Sequence, residues 1–160
     1  MATVISGDTG VSQVQAGSIN QDDLAANVVG KGPAFRAYAT VATSATPSSS
    51  KVALGAKSFD TASAFDTAAS RFQPTVAGYY QFVTRIAFVS GSYTTTASFN
   101  KNGAAVSSGP YGTASVGHSD LLYMNGTTDY VEVFVYSATT QNTGTGEGSV
   151  FFSGFLARAA

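Results

Sequence analysis

Between residues 79 and 89 the chain alternates: Tyr80, Phe82, Thr84, Ile86 and Phe88 stand at every second position. Strand side chains point to opposite faces with period two, so these five share one face. Such a stripe is stable only as a strand whose apolar side lies against a second layer. Similar runs recur along the chain, cut by turn residues. Residues 34–40 read as a strand, and 51–56 and 59–65 as short extended pieces. Residues 71–76 lead into a turn at Ala77-Gly78, and 43–50 form a Ser/Thr/Pro loop. Residues 94–100 and 104–107 flank Lys101-Asn102-Gly103. Asn102-Gly103 is a hairpin signal because both residues tolerate positive φ. Residues 119–124 precede a second such turn, Asn125-Gly126. Residues 129–137 and 149–156 read as the last strands, separated by a Gly/Thr-rich stretch, 138–148, expected to be exposed.

Composition agrees with this pattern. Phe (11), Tyr (8) and Gly (17) are abundant, with many Thr and Val. β-branched and aromatic residues suit a pleated, half-buried surface. Leu, Glu and Lys, common helix formers, are scarce. The class is all-β, and many short strands with turns between them suggest a jelly-roll β-sandwich. At 160 residues the chain is one ordinary domain plus a short appendage. With no cysteine it has no disulfide, thiolate metal site or catalytic thiol. Eight Lys and Arg balance nine Asp and Glu. A near-neutral chain with scattered cations does not attract a phosphate backbone, which argues against nucleic acid as a partner.

The first 32 residues differ from the rest. They carry no aromatic residue, and their apolar side chains are spaced out: Val4, Ile5, Val11, Val14, Ile19, Leu24, Val28 and Val29. A short helix can begin after Asn20, with Asp22 and Asp23 in its first turn, where negative charge is favoured. Such a segment buries too little apolar surface to fold alone. It is either flexible or ordered by wrapping around sister copies or a partner. Residues 1–32 are thus read as an extended, partly helical docking and trimerising segment, and 33–160 as the head domain. Val4, Ile5, Val11, Val14, Ile19 and Leu24 are the docking candidates. The start of the chain has neither a basic stretch nor a following apolar h-region, so no signal peptide is expected. No run approaches the ~18 apolar residues of a membrane span, so no membrane insertion is expected.

The last two strands are apolar on both faces. Tyr130, Phe134 and Tyr136 lie opposite Val131, Val133 and Val135, with Glu132 among the former. Phe151 and Phe155 lie opposite Phe152 and Leu156. A strand with one wet face alternates apolar and polar residues. The second face needs a cover, supplied by sister subunits or by other parts of the same chain.

Several motifs together resemble the C1q-like domain. Phe72-Gln73-Pro74-Thr75-Val76-Ala77-Gly78-Tyr79-Tyr80-Gln81-Phe82 is similar to that family's central Pro-x-x-x-Gly turn and aromatic strand. Phe59-Asp60 and Phe65-Asp66 resemble the Phe-Asp pairs ahead of it. Phe99-Asn100-Lys101-Asn102-Gly103 resembles its hairpin, and residues 122–136 its Asp followed by an alternating Val run. Phe152-Ser153-Gly154-Phe155-Leu156 resembles its closing motif. The resemblance spans residues 33–157. It implies a ten-stranded jelly roll assembled as a homotrimer, with the terminal strands near the threefold axis and no known catalysis. Phe35, Tyr38, Phe152, Phe155 and Leu156 are then the trimer-interface candidates. Some family members bind calcium, but no clear ligand set matches here. Separately, Gly17-Ser18-Ile19-Asn20-Gln21-Asp22-Asp23-Leu24-Ala25 resembles the short repeats of bacteriophage tail-fibre stalks.

Catalytic chemistry finds little support. His118 is the single histidine, and Ser119-Asp120 follows it directly, so adjacent strand positions point these side chains to opposite faces. Asp60/Asp66 and Asp129/Glu132 are carboxylate pairs by count only. Asp120 and Asp129 could offer oxygens to calcium. Residues 144–148 imitate a phosphate loop but lack its Lys. No enzyme and no cofactor are expected. Tyr93 and Tyr111 sit in glycine-rich turns, where a fixed aromatic ring gives contact area at low entropic cost. With His118 they are the receptor-binding candidates. The expected role is a phage virion fibre, made in the host cytoplasm. Its N-terminus would attach to the tail, baseplate or capsid, and its head would touch a host-surface glycan or protein. The alternatives are a structural head fibre, capsid decoration or baseplate part without receptor contact, a small depolymerase, and a bacterial adhesin.

Overall fold

A computed structural model describes residues 32–91 and 93–160. The docking candidates Val4, Ile5, Val11, Val14, Ile19 and Leu24, and the helix expected after Asn20, lie outside the described residues. Within them every regular element is a strand. In chain order these are β1 (Ala34–Tyr38), β2 (Ser44–Ala45), β3 (Ser50–Lys51), β4 (Ala56–Asp60), β5 (Phe65–Asp66) and β6 (Arg71–Phe72). There follow β7 (Gly78–Ala87), β8 (Thr95–Lys101), β9 (Ala104–Ser108), β10 (Ser115–Met124), β11 (Val131–Ser137), β12 (Gln141–Asn142) and β13 (Val150–Ala159).

They pair into two facing sheets. One has five strands in the order β10-β7-β13-β1-β4. The other runs β5-β6-β11-β8-β9, with β3 also paired to β11. β2 and β12 form a short ribbon. The ten strands of the two main paths give the jelly-roll sandwich expected from the sequence.

Period two decides which side chains enter the core. Along β7, Tyr80, Phe82, Thr84 and Ile86 are buried while Tyr79, Val83 and Arg85 are exposed. Phe35, Phe65, Phe72, Tyr80, Phe82, Phe99 and Phe152 meet between the sheets. Phe35 stacks on Phe72 at 4.2 Å between ring centroids, and meets Phe152 edge-on at 4.9 Å. The buried Tyr80 hydroxyl donates to the carbonyl of Val76 at 2.8 Å, and burial pushes its pKa up to about 12.

Both turn motifs form, in different ways. Asn102 and Gly103 take φ of 53° and 82°, closing the β8–β9 hairpin with both central residues left-handed. Asn125-Gly126 is not a hairpin turn, because β10 and β11 belong to different sheets. There the Asn125 Oδ1 accepts the backbone N–H groups of Thr127, Thr128 and Asp129 at 2.9, 3.0 and 3.0 Å. That side chain replaces the hydrogen bonds a ladder would supply. β10 starts at Ser115, four residues earlier than its sequence suggests, because ten residue pairs with β7 override the turn-like Ser115 and Gly117. The stretch 138–148 is only partly exposed: it contains β12, and Gln141 and Thr143 are buried.

The termini and the long loops separate. β1 begins and β13 ends at one end of the sandwich, where Ala34 pairs with Phe155 and Gly78 with Ala159. The loops carrying Tyr93 and Tyr111 lie at the other end, beside Ala87 and Thr95. A ten-residue strand such as β7 spans roughly 30 Å, which sets the separation.

Candidate functional site

The five-stranded sheet has one face in the core and one outside it. The register lines up its outward residues across the strands. Phe59, Arg36, Ser153, Val83 and Ser119 form one row, and Ala34, Phe155, Gln81 and Leu121 the next. Tyr79 pairs with Tyr123 nearer the termini, their rings 5.5 Å apart. Phe59, Phe155 and Leu121 are 48%, 50% and 50% exposed, and Tyr79, Val83 and Tyr123 are similarly open. Six large apolar side chains share this outer sheet face, more than scattered surface residues account for.

The upper part of the same face is closed by the chain itself. The Arg36 guanidinium lies 3.8 Å above the Phe151 ring, and its Nε donates to Glu147 at 3.2 Å. The Ser58 hydroxyl donates to the same carboxylate at 2.6 Å, and Arg85 donates to the carbonyl of Gly148 at 2.6 Å. The loop before β13 is thereby strapped over Phe151. Only the half nearer the termini stays bare.

This arrangement corrects the interface list read from the sequence. Phe35 and Phe152 have no exposed surface, and Leu156 is 2% exposed. All three are core residues, because they occupy the inward positions of β1 and β13 and no other chain can reach them. Tyr38 faces outward but is half-buried beside Phe151. Phe155 lies on the open patch. Sequence reasoning missed Phe59, Tyr79, Val83, Leu121 and Tyr123. A signal for four of them was present: Tyr79 and Val83 are the odd positions of β7, and Leu121-Leu122-Tyr123-Met124 is apolar on both faces.

The receptor-binding candidates separate. Tyr111 is 71% exposed and Tyr93 42%. Tyr93 lines an open concavity of ≈ 520 Å³ with Val89, Ser90, Gly91, Thr140, Gln141 and Asn142. His118 is not in a loop. It sits on the inward side of β10, its ring 4.8 Å from Phe99 and its Nε2 2.8 Å from the Ser107 hydroxyl. Burial there disfavours the imidazolium and lowers its pKa, and Asp120 opposes this only in part.

The carboxylates have structural partners. Burial raises the Asp60 pKa, but a hydrogen bond from Lys57 and the backbone N–H groups of Phe65 and Ala64 outweigh it, so the group sits below its ordinary value. Asp129 follows the same logic: burial raises it, while Lys101, Asn102 and the Asn125 N–H hold it low. The Asp66 Oδ1 accepts the N–H groups of Ala68 and Ala69, and Glu132 takes Lys51 at 2.6 Å. Among the described residues no three His, Asp or Glu side chains gather into a metal site, and no helix is long and apolar enough to cross a membrane.

Two sheets in this order, closed by a β13 that runs between β7 and β1, define a C1q/TNF-like jelly roll. No family model matches the chain, and no curated protein is similar to it in sequence. The solved structures carry the likeness. The globular domain of a zebrafish complement 1qA protein superposes with a TM-score of 0.59 at 17% identity, covering 81% of this chain and 100% of that one. Murine APRIL gives 0.63 at 10% identity, over 78% and 98% of the two chains. The Eiger TNF of S. frugiperda gives 0.62 at 12%, over 79% and 93%.

Proposed function

We propose that the chain is a non-catalytic binding module that works as a homotrimer, its bare sheet face forming the contact between subunits. The observation that carries this is the apolar half-face bearing Phe59, Tyr79, Val83, Leu121, Tyr123 and Phe155. A likeness to C1q and TNF-type domains supports the same reading.

The finer assignment is a bacteriophage virion fibre protein. Residues 1–32 attach it to tail, baseplate or capsid, and the head meets a host-surface glycan or protein. Two observations support it. The segment around Gly17–Ala25 resembles tail-fibre stalk repeats. The chain enters the head at one end, and Tyr93 and Tyr111 stand at the other, so attachment through the N-terminus points those rings outward. Three weak sites on one rigid trimer add avidity without strong single contacts.

Electron cryo-microscopy of assembled particles, with labelled residues 1–32, tests the assignment. The expected map places the segment on the particle and the Tyr111 loops outward. Heads packed loop-first into a capsid or baseplate would replace it with a structural role, and release of oligosaccharide from host polysaccharide would replace it with a depolymerase.

A further inference from the structure

At the end of the sandwich away from the termini, two segments face each other across the concavity of ≈ 520 Å³ that holds Tyr93. We infer that this concavity is a binding site for one neutral sugar unit, with Tyr93 as its stacking ring. The inference deepens the receptor-contact reading above and rests on it, naming the ligand class and the residues that meet it.

Both walls are anchored. Residues 89–91 and Tyr93 form one, and residues 140–142 the other. Hydrogen bonds tie them together at two points: the Val89 N–H donates to the Asn142 carbonyl at 3.2 Å, and the Ala138 N–H to the Thr94 carbonyl at 2.9 Å. β12 in turn pairs with β2, setting Gln141 opposite Ala45. Gln141 is 7% exposed, and its Nε2 donates to the Ser137 hydroxyl at 2.9 Å. That hydroxyl itself donates to the Thr139 carbonyl at 2.7 Å. The Gln141 Oε1 is left buried without a hydrogen-bond partner. An acceptor kept unmet in the wall of a concavity is a polar group that packing alone does not explain.

Gly91 brings the ring to that wall. It takes φ of 95°, and a Cβ there would lie 2.8 Å from both the Gln141 Oε1 and the Tyr93 Cε2. Any L side chain would be strained by the dihedral and would push amide and ring apart. With glycine in place the ring is held before a ligand arrives, at 42% exposure. A ring already in position loses little freedom on binding.

The chemistry of the walls selects the ligand. Among the described residues lining the concavity, none carries a charge. An acidic, phosphorylated or cationic ligand would lose hydration there and meet no opposite charge. Ser90, Thr140 and Asn142 are exposed and offer hydroxyl and amide groups that both donate and accept, a match for the hydroxyls of a sugar. A protein partner's anchoring side chain needs a well-packed, desolvated pocket, and of the lining residues only Val89 and Tyr93 bring large apolar groups. The volume falls within the roughly 300–1,000 Å³ of small-ligand sites.

Saturation-transfer NMR on the full chain tests this with glucose, galactose, mannose, rhamnose, N-acetylglucosamine and N-acetylgalactosamine, and with glucuronate as the charged control. At least one neutral sugar should bind with a Kd of about 1 mM, and glucuronate at least about tenfold more weakly. Tyr93→Ala should weaken binding at least about tenfold, and Tyr93→Phe should retain it. Tyr111→Ala, in a loop that does not line the concavity, should leave it unchanged. If no neutral sugar binds at about 10 mM, or if Tyr93→Ala binds as the native chain does, the inference is overturned. Attachment of the labelled full chain to host cells separates this failure from that of the broader reading. Attachment lost both on periodate oxidation of the cells' glycans and in Tyr93→Ala supports the two together. Attachment that survives periodate but is lost in Tyr93→Ala points to a protein receptor, which sinks the sugar and keeps the receptor contact. A folded chain that attaches to no host cell sinks the receptor contact, whatever sugar it binds.

Discussion

The two sheets turn different outer faces to the outside, although both carry aromatic residues there. On the six-stranded sheet, Tyr130, just before β11, and Phe134 and Tyr136 of β11 point outward yet are half-buried within one chain. Lys51 on β3 reaches Glu132 at 2.6 Å, and the Arg71 guanidinium lies 4.9 Å above the Tyr130 ring. The register sets Arg71, Glu132 and Asn100 side by side across β6, β11 and β8. On the five-stranded sheet the lower half is covered less: Lys101 lies 5.7 Å from the Tyr123 ring centroid at its edge, yet Phe155, Leu121 and Phe59 stay about half exposed. The lesson is that an apolar outer face becomes internal when long charged side chains arch over it, and stays open to a partner when few do.

The largest expected effect tests the part the two sheets share. Phe152→Ala empties a fully buried site between them and should cost about 3–5 kcal/mol, as Phe truncations in cores do. Chemical denaturation measures it, and a loss below about 1 kcal/mol would mean that the aromatic cluster is not the common core. Next, Phe155→Asp acts on the bare face. It should break the trimer while leaving the melting of the isolated head nearly unchanged, because a half-exposed side chain contributes little to a single subunit. Sedimentation and calorimetry on the same sample check both halves of that statement.

The sealed face responds differently. Lys51→Ala strands Glu132, which is 8% exposed. It should cost about 1–2 kcal/mol, less than a fully buried pair because the Lys itself is partly wet, and it should leave the subunit count untouched. A change in mass with Lys51→Ala would mean that the sealed face also meets other subunits.

Asp129→Asn gives the smallest effect and the sharpest sign. Against burial, which raises it, hydrogen bonds from Lys101, Asn102 and the Asn125 N–H hold the Asp129 carboxyl below the ordinary value of 3.8. Its contribution is therefore present above that pH and is lost as pH falls through the folded value. Asn at this position removes that dependence, so the variant should be slightly less stable at neutral pH and lose less stability below about pH 4. Parallel acid titrations of the two proteins would show the curves converging. Curves that stay parallel would remove Asp129 from the acid response.

Much of this was legible in particular residues. Tyr80, Phe82, Thr84 and Ile86 announce the buried face of β7 by period two alone, and Asn102-Gly103 announces its hairpin. The doubly apolar β11 and β13 were legible as strands, but not who covers them. β11 is closed by Lys51 and Arg71, which are 81 and 61 residues away in sequence. Such partners are set by register between distant strands, and period two carries no information on them. Phe35, Phe152 and Leu156 enter the interface list only through the resemblance, which puts the terminal strands near the axis; alternation sorts residues into two faces without saying which face is inside, and the structure puts these three inside. The ribbon of β2 and β12 was invisible because two-residue strands have no period.

The central claim is that the bare half of the five-stranded sheet joins subunits of this chain. Light scattering on the purified full chain at micromolar concentration tests it most directly. The expected mass is three times the 16.3 kDa of one chain, falling to one chain in Phe155→Asp. A folded native protein that stays at 16.3 kDa across the accessible concentrations would contradict it.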